Sequence, residues 1–207
     1  MSTRKNYLYA TTVAALSLML LFSGCSKPPT EEVAALQGDL EACKAQGAEV
    51  FAEAEYGQAM QKMSTLQGYM DSKQNRMAKA LADSMMAEME ALKSATATNA
   101  KDMSTQAVTM INEELAKLKG MMTPEAAKML GAEEAGKCEQ QVMEMDSKAA
   151  ALKADLDNSA FLDAFNNAKP LMNDIAMASQ DMNQKMEQAK AMAAEKMAKA
   201  KKPAKKK

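Results

Sequence analysis

The apolar residues of this chain recur at alternating steps of four and three along most of its length. The longest run consists of Cys138, Val142, Met145, Ala149, Leu152 and Leu156. Shorter runs with the same spacing include Leu36, Leu40 and Cys43. This spacing places apolar side chains on one face of an α-helix, and such faces pack against each other in pairs. The sequence therefore predicts an all-α fold of elongated helical hairpins, or a coiled-coil-like bundle.

The composition favours helix and argues against several classes of enzyme. The chain has 22 Met, four Phe, four Tyr, and neither Trp nor His. Ala, Met, Leu, Lys, Glu and Gln all have high helix propensity. Without His, no side chain has an unperturbed pKa suited to acid–base work near neutral pH. No phosphate-binding loop, nucleophile elbow or cysteine metal motif occurs either, so we expect no enzyme, catalytic residue, metal site or cofactor.

Polar and small residues predict where the helices end. We expect a helix capped by Thr30, and breaks at 47–48, 71–75, 94–99, 120 and 157–159. Thr123 followed by Pro124 is a typical helix start, and one helix is predicted over 124–156. Pro170 is expected to kink or split the last helix. Residues 31–195 are thus predicted to form one helical domain or two units, 31–119 and 123–195.

Part of the sequence repeats weakly at an interval of 86 residues. Asp71, Ala78, Ala82, Met86 and Glu88 correspond to Asp157, Ala164, Ala168, Met172 and Asp174. Because Ala-rich helices match each other easily, both a true duplication and a chance match stay open.

The first 25 residues have the features of a secretory signal. Arg4 and Lys5 precede an apolar run, residues 7–22, which is followed by Ser23, Gly24 and Cys25. Residues 21–25 resemble the lipobox of bacterial lipoproteins, although Phe22 stands where that family usually has Leu. The resemblance implies that residues 1–24 are removed and that Cys25 carries fatty acyl chains, with 25–30 as a linker. The alternative is an uncleaved membrane anchor.

Two cysteines remain after Cys25 is assigned to the lipid. An even pair in an exported chain predicts a disulfide between Cys43 and Cys138. The alternative is two free thiols in an apolar seam.

Residues 36–97 resemble a family of small, Ala-rich bacterial lipoproteins of unknown function. The matching features are residues 47–52, Tyr56, Ala59, and alanines at 78, 82 and 87. The resemblance implies a helical accessory protein of the cell envelope. A second, looser likeness is to the murein lipoproteins, whose terminal Lys is joined to peptidoglycan.

The charge is distributed unevenly along the chain. Residues 25–195 hold 17 basic and 27 acidic residues, whereas the Lys-rich tail, 196–207, holds seven Lys and no acid. In an exported protein, Lys201, Lys202, Lys205, Lys206 and Lys207 are predicted to contact anionic headgroups or peptidoglycan rather than nucleic acid. A tail that merely aids solubility is the alternative.

Together these features predict a lipid-anchored protein with a scaffolding or interaction role. In Gram-negative lipoproteins an Asp after the lipidated cysteine tends to retain the protein at the inner membrane, so the resemblance implies that Ser26 favours the outer membrane, facing the periplasm. In a single-membrane envelope the cell membrane would hold the anchor. Expected partners are the membrane, peptidoglycan, other envelope proteins or further copies of the chain. The alternative function is a Met-rich module that binds Cu(I) or a hydrophobic ligand through groups such as Met85, Met86 and Met89.

Overall fold

The chain is all-α, as predicted. The structure, a computed structural model, describes residues 27–200, and this part contains seven helices and no strand. The helices are α1 (Thr30–Ala45), α2 (Ala48–Phe51), α3 (Glu53–Asp71), α4 (Asn75–Met121), α5 (Pro124–Leu130), α6 (Ala132–Asp157) and α7 (Phe161–Ala200). None of the described helices combines the length and apolarity needed to cross a membrane.

Two compact units share these helices, and their boundary lies between Ser94 and Ala95. That boundary falls inside α4, not at residues 119–123, where the sequence indicated a division. The predicted break at 94–99 is wrong, because the buried stripe of α4 continues there through Thr96, Ala100 and Ser104. Small side chains at these positions lower helix propensity only slightly, which the neighbouring helical turns overcome.

Unit 1 has a core formed by the predicted stripes of α1, α3 and the first part of α4. The fully buried side chains include Leu36 and Cys43 of α1, Leu66 of α3, and Met85 and Met89 of α4. Ion pairs cross the surface above this core. Lys79 of α4 contacts Glu32 of α1 at 3.1 Å, and Lys93 of α4 contacts Asp39 of α1 at 3.0 Å. Exposed pairs of this kind contribute at most about 1 kcal/mol each, so apolar packing carries the stability of the unit.

Unit 2 has a longer apolar seam of the same kind. Its core contains Val108, Ile111, Leu115 and Leu118 of α4, five residues of α6 from Cys138 to Leu152, and Ala168, Leu171, Ile175 and Met182 of α7. At the edge of this core, Lys119 of α4 pairs with Asp146 of α6. The Ser104 hydroxyl donates a hydrogen bond of 2.8 Å to the Phe161 carbonyl at the start of α7.

Each unit contains a hairpin with the same turn. In unit 1 the Gln74 N–H donates to the Tyr69 carbonyl (2.9 Å) and the Lys73 N–H donates to the Met70 carbonyl (3.0 Å). In unit 2 the Ala160 and Ser159 N–H groups donate to the Asp155 and Leu156 carbonyls in the same pattern. This is a Schellman turn, which requires a left-handed residue, and Lys73 (φ 56°) and Ser159 (φ 61°) supply it. The breaks predicted at 71–75 and 157–159 are thus confirmed.

The interval of 86 residues found in the sequence also relates the two hairpins. Lys62 of α3 pairs with Glu88 of α4, and Lys148 of α6 pairs with Asp174 of α7 at 3.0 Å. Lys148 follows Lys62 by 86 residues, and Asp174 follows Glu88 by the same interval. The same interval relates buried Leu66 to Leu152, Ala78 to Ala164, Ala82 to Ala168 and Met89 to Ile175. Turn geometry, burial and ion pairing coincide at one interval, which indicates a repeated helical hairpin.

Of four predictions about where helices start or break, one is confirmed and three need correction. Thr30 is the first helical residue and its side chain makes no capping hydrogen bond; Pro29 occupies the cap position. Thr123 does cap α5, because its hydroxyl accepts a hydrogen bond of 3.1 Å from the Ala126 N–H. The helix predicted over 124–156 is interrupted at Gly131, which adopts φ 85° and ψ 157°. Pro170 does not split α7, which continues through it.

The buried stripe of α4 contains one polar atom without a partner. Among the described residues, only the Thr96 hydroxyl is both fully buried and without a hydrogen bond. An unpaired buried hydroxyl costs free energy that a methyl group of similar shape does not.

We therefore expect the substitution Thr96→Val to raise the free energy of unfolding by about 1 kcal/mol. The matched control is Ser104→Ala, which removes a buried hydroxyl that is hydrogen-bonded and should lower stability by about 1 kcal/mol. Urea denaturation followed by circular dichroism measures both. If both substitutions raised, or both lowered, the free energy of unfolding, the Thr96 hydroxyl would not differ from the Ser104 hydroxyl in its contribution to stability.

Candidate functional site

The two cysteines predicted to form a disulfide are free in the structure. Cys43 is buried in the core of unit 1, and Cys138 is buried in the core of unit 2. Cys43 is the last residue of the buried stripe of α1, after Leu36 and Leu40. Cys138 lies between Ala135 and Val142 in the buried stripe of α6. The structure thus corrects the predicted Cys43–Cys138 bond and agrees with the alternative of free thiols in apolar seams.

Neither thiol is activated as a nucleophile or as a metal ligand. Burial raises the pKa of Cys43 and of Cys138 above the usual thiol value, and neighbouring lysines offset this only in part. A raised pKa keeps sulfur in the thiol form, whereas the thiolate is the nucleophile and metal ligand. Both cysteines therefore act as small apolar residues.

The methionine groups proposed as copper ligands are divided between core and surface. Met85 and Met89 are buried at 1% exposure, whereas Met86 is 47% exposed. Likewise Met145 is buried and Met143 is exposed. A Cu(I) site needs several sulfur atoms that converge on one point. Helical geometry instead directs Met86 away from the face shared by Met85 and Met89.

Acidic residues also fail to form a cluster in the part of the chain that the structure describes. No group of three or more His, Cys, Asp or Glu side chains there is placed to hold a metal ion. Many carboxylates pair with lysines instead. Glu114, for example, accepts a hydrogen bond of 2.6 Å from Lys117 on the same helix.

A network of charged side chains lies beside Cys138. Lys185 of α7 contacts Glu134 of α6 at 3.0 Å and Asp181 of its own helix at 2.9 Å, and Lys137 contacts Glu134 at 2.8 Å. Hydrogen bonds from Asp181 and Glu134 raise the pKa of Lys185, so the ammonium form is held firmly. The network fastens α6 to α7. The sequence analysis predicted neither this network nor the ion pair between Lys62 and Glu88. The interval of 86 residues was a usable signal, because it relates Lys62 and Glu88 to Lys148 and Asp174, which also pair.

Two shallow grooves follow the junction of α6 and α7. One has a volume of about 460 Å³ and contains Met145, Met177, Lys148, Asp174 and other residues of the same helix faces. The other has a volume of about 270 Å³ and lies beside Pro170. The charged groups shared by both grooves, Lys148 and Asp174, already pair with each other. That pairing occupies the two charged groups that both grooves share, and further polar side chains, among them Gln141 and Asp155, also line the grooves.

The last described turns of α7 differ from the rest of unit 2. Ala189 is the last buried residue for which the structure describes burial, and every position from 190 to 197 is exposed. Met192 and Met197 are 59% and 68% exposed on these turns. This surface is the strongest candidate for an interaction with another molecule.

Several predicted features lie outside the described residues. They are the signal segment 1–24, the lipid-bearing Cys25 and the tail lysines at 201, 202, 205, 206 and 207. Comparison with known proteins adds no assignment: no family model, curated protein or solved structure matches the chain.

Proposed function

We propose that this chain is a lipid-anchored protein of the bacterial envelope with a scaffolding or interaction role. The single observation that carries the proposal is the segment 4–25, in which a basic start and an apolar run end at Ser23, Gly24 and Cys25. The resemblance of residues 36–97 to Ala-rich envelope lipoproteins is consistent with it.

The lipid would determine where the protein works. Each buried methylene contributes about 0.8 kcal/mol, so one acyl chain holds a protein only marginally and two hold it stably. The lipobox resemblance implies two or three chains on Cys25. The helical body would then be held at a membrane, and Ser26 favours the outer membrane, facing the periplasm.

The body has properties that suit a scaffold. Its two units bury continuous apolar seams, and many of its charged side chains form ion pairs between neighbouring helices. Its net negative charge contrasts with the Lys-rich tail, 196–207. A tethered helical body with a basic end would connect the anchoring membrane to an anionic envelope surface.

Labelling with a radioactive fatty acid in a Gram-negative host tests the anchor. The wild-type chain should incorporate label, migrate as the processed form and sediment with membranes. The substitution Cys25→Ser should abolish labelling and processing. The matched control Cys43→Ser should retain both, because that buried thiol takes no part. Mass spectrometry that found Met1 intact and Cys25 unmodified in the wild-type product would refute the proposal.

A further inference from the structure

We infer that residues 190–197 of α7 form a binding surface for anionic phospholipid. This inference deepens the proposed function, because it rests on an envelope location and names what the basic end of the chain contacts.

The seam loses its apolar character at Lys196. Met182 is buried, Met186 is partly buried and Ala189 is buried, at steps of four and three. Continuing those steps reaches Ala193 and then Lys196, and both are exposed. A Lys at a seam position opposes burial against another helix, because an unpaired charge is costly to remove from water. Helix α7 nevertheless continues to Ala200.

Exposed methionines flank Lys196 on this part of the helix. Met192 precedes it by four residues and Met197 follows it by one, which places all three on one half of the helix surface. Neither methionine is buried, although Met is a large apolar residue. Such side chains gain free energy when they leave water for an apolar phase.

The surrounding charge is strongly positive. Between 190 and 207 the sequence contains eight Lys and one acid, Glu195. Lys190 contacts Glu187 at 3.5 Å, whereas none of the ion pairs in the described chain involves Lys196. Basic residues close to an anionic bilayer contribute about 1 kcal/mol each.

Both properties together favour lipid over peptidoglycan. Peptidoglycan carries carboxylates that would attract lysines, but it offers no hydrocarbon phase for Met192 and Met197. The boundary between headgroups and acyl chains offers both, and helices with Lys beside apolar residues lie in it. The surface therefore fits a bilayer rich in anionic phospholipid.

A single tryptophan tests this contact in the full-length chain, which has no Trp of its own. We would compare Met192→Trp with the matched control Met177→Trp, also on α7 and 70% exposed, but beside the packed part of unit 2. Vesicles of phosphatidylglycerol and phosphatidylethanolamine should shift the emission of the residue-192 probe to the blue. The control probe should not shift, and phosphatidylcholine vesicles should shift neither.

Charge provides a second arm of the experiment. Removing Lys196 and Lys199 by substitution with Gln in the Met192→Trp chain should weaken the vesicle response about fivefold per Lys. Salt at about 1 M, where the Debye length is about 3 Å, should weaken it as well.

Several results would overturn the inference. They are no shift at residue 192, an equal shift at residue 177, a response insensitive to salt and to the Lys substitutions, or a response to purified peptidoglycan but not to vesicles. Because the probe reports on α7, its failure would leave acylation of Cys25 untouched. Conversely, an unmodified Cys25 would leave a vesicle response at residue 192 intact.

Discussion

Truncation of Ile111 to alanine is expected to lower the free energy of unfolding of unit 2 by about 2–5 kcal/mol. Ile111 is fully buried in the seam that joins α4 to α6 and α7. Its removal loses apolar burial and leaves a cavity that the neighbouring helices fill only in part.

The adjacent residue provides the control. Met110 is 56% exposed on the same helix, and Met110→Ala should change stability by no more than about 0.5 kcal/mol. Urea denaturation followed by far-ultraviolet circular dichroism measures both variants, and hydrogen exchange assigns the loss to unit 2. Equal effects of the two substitutions would mean that Ile111 is not a core residue.

The substitution Gly131→Ala is expected to cost about 1–3 kcal/mol through the backbone alone. Gly131 joins α5 to α6 with φ 85° and ψ 157°, a conformation that is essentially restricted to glycine. Apart from its two chain neighbours, an added Cβ would meet no heavy atom within 4 Å, so contact with the rest of the protein adds nothing to this cost.

Gly136 distinguishes backbone strain from a general effect of alanine. It lies inside α6, and a Cβ there would also meet nothing within 4 Å. Gly136→Ala should therefore stabilise the protein by about 0.5–1 kcal/mol, because glycine is a poor helix former. Thermal unfolding of both variants tests the opposite signs. A gain in stability from Gly131→Ala would show that α5 and α6 can form one continuous helix, as the sequence alone predicted.

The sequence predicted the seams better than the interruptions. Leu36, Leu40, Val142 and Leu152 were assigned to buried stripes, and all four are buried. The spacing of apolar residues defines one face of a helix locally, so that face can be predicted without knowing which helices pack against it. The 94–99 segment was predicted to break a helix because its residues are small and polar. It remains helical because packing of the adjacent turns outweighs a weak local preference.

Where a helix is interrupted depends on the backbone conformation of a single residue, which is hard to predict from sequence. Gly131 was overlooked because the apolar pattern continues on both sides of it, whereas its positive φ ends α5 there. Lys73 and Ser159 occupy left-handed positions without being glycine, so nothing in their identity marks them. Their polar surroundings nevertheless predicted both turns.

By itself, the sequence determined that the chain is helical, which faces of its helices are apolar, and where its charge lies. These properties follow from residue identity and spacing, which act over one or two turns. Only the tertiary structure decided that Cys43 and Cys138 are free thiols in two separate cores. It also decided that Met85 and Met86 have different environments, and that α7 is buried up to Ala189 but exposed from 190 to 197. Such outcomes depend on which helices meet and where their contact stops, and distant residues along the chain set both.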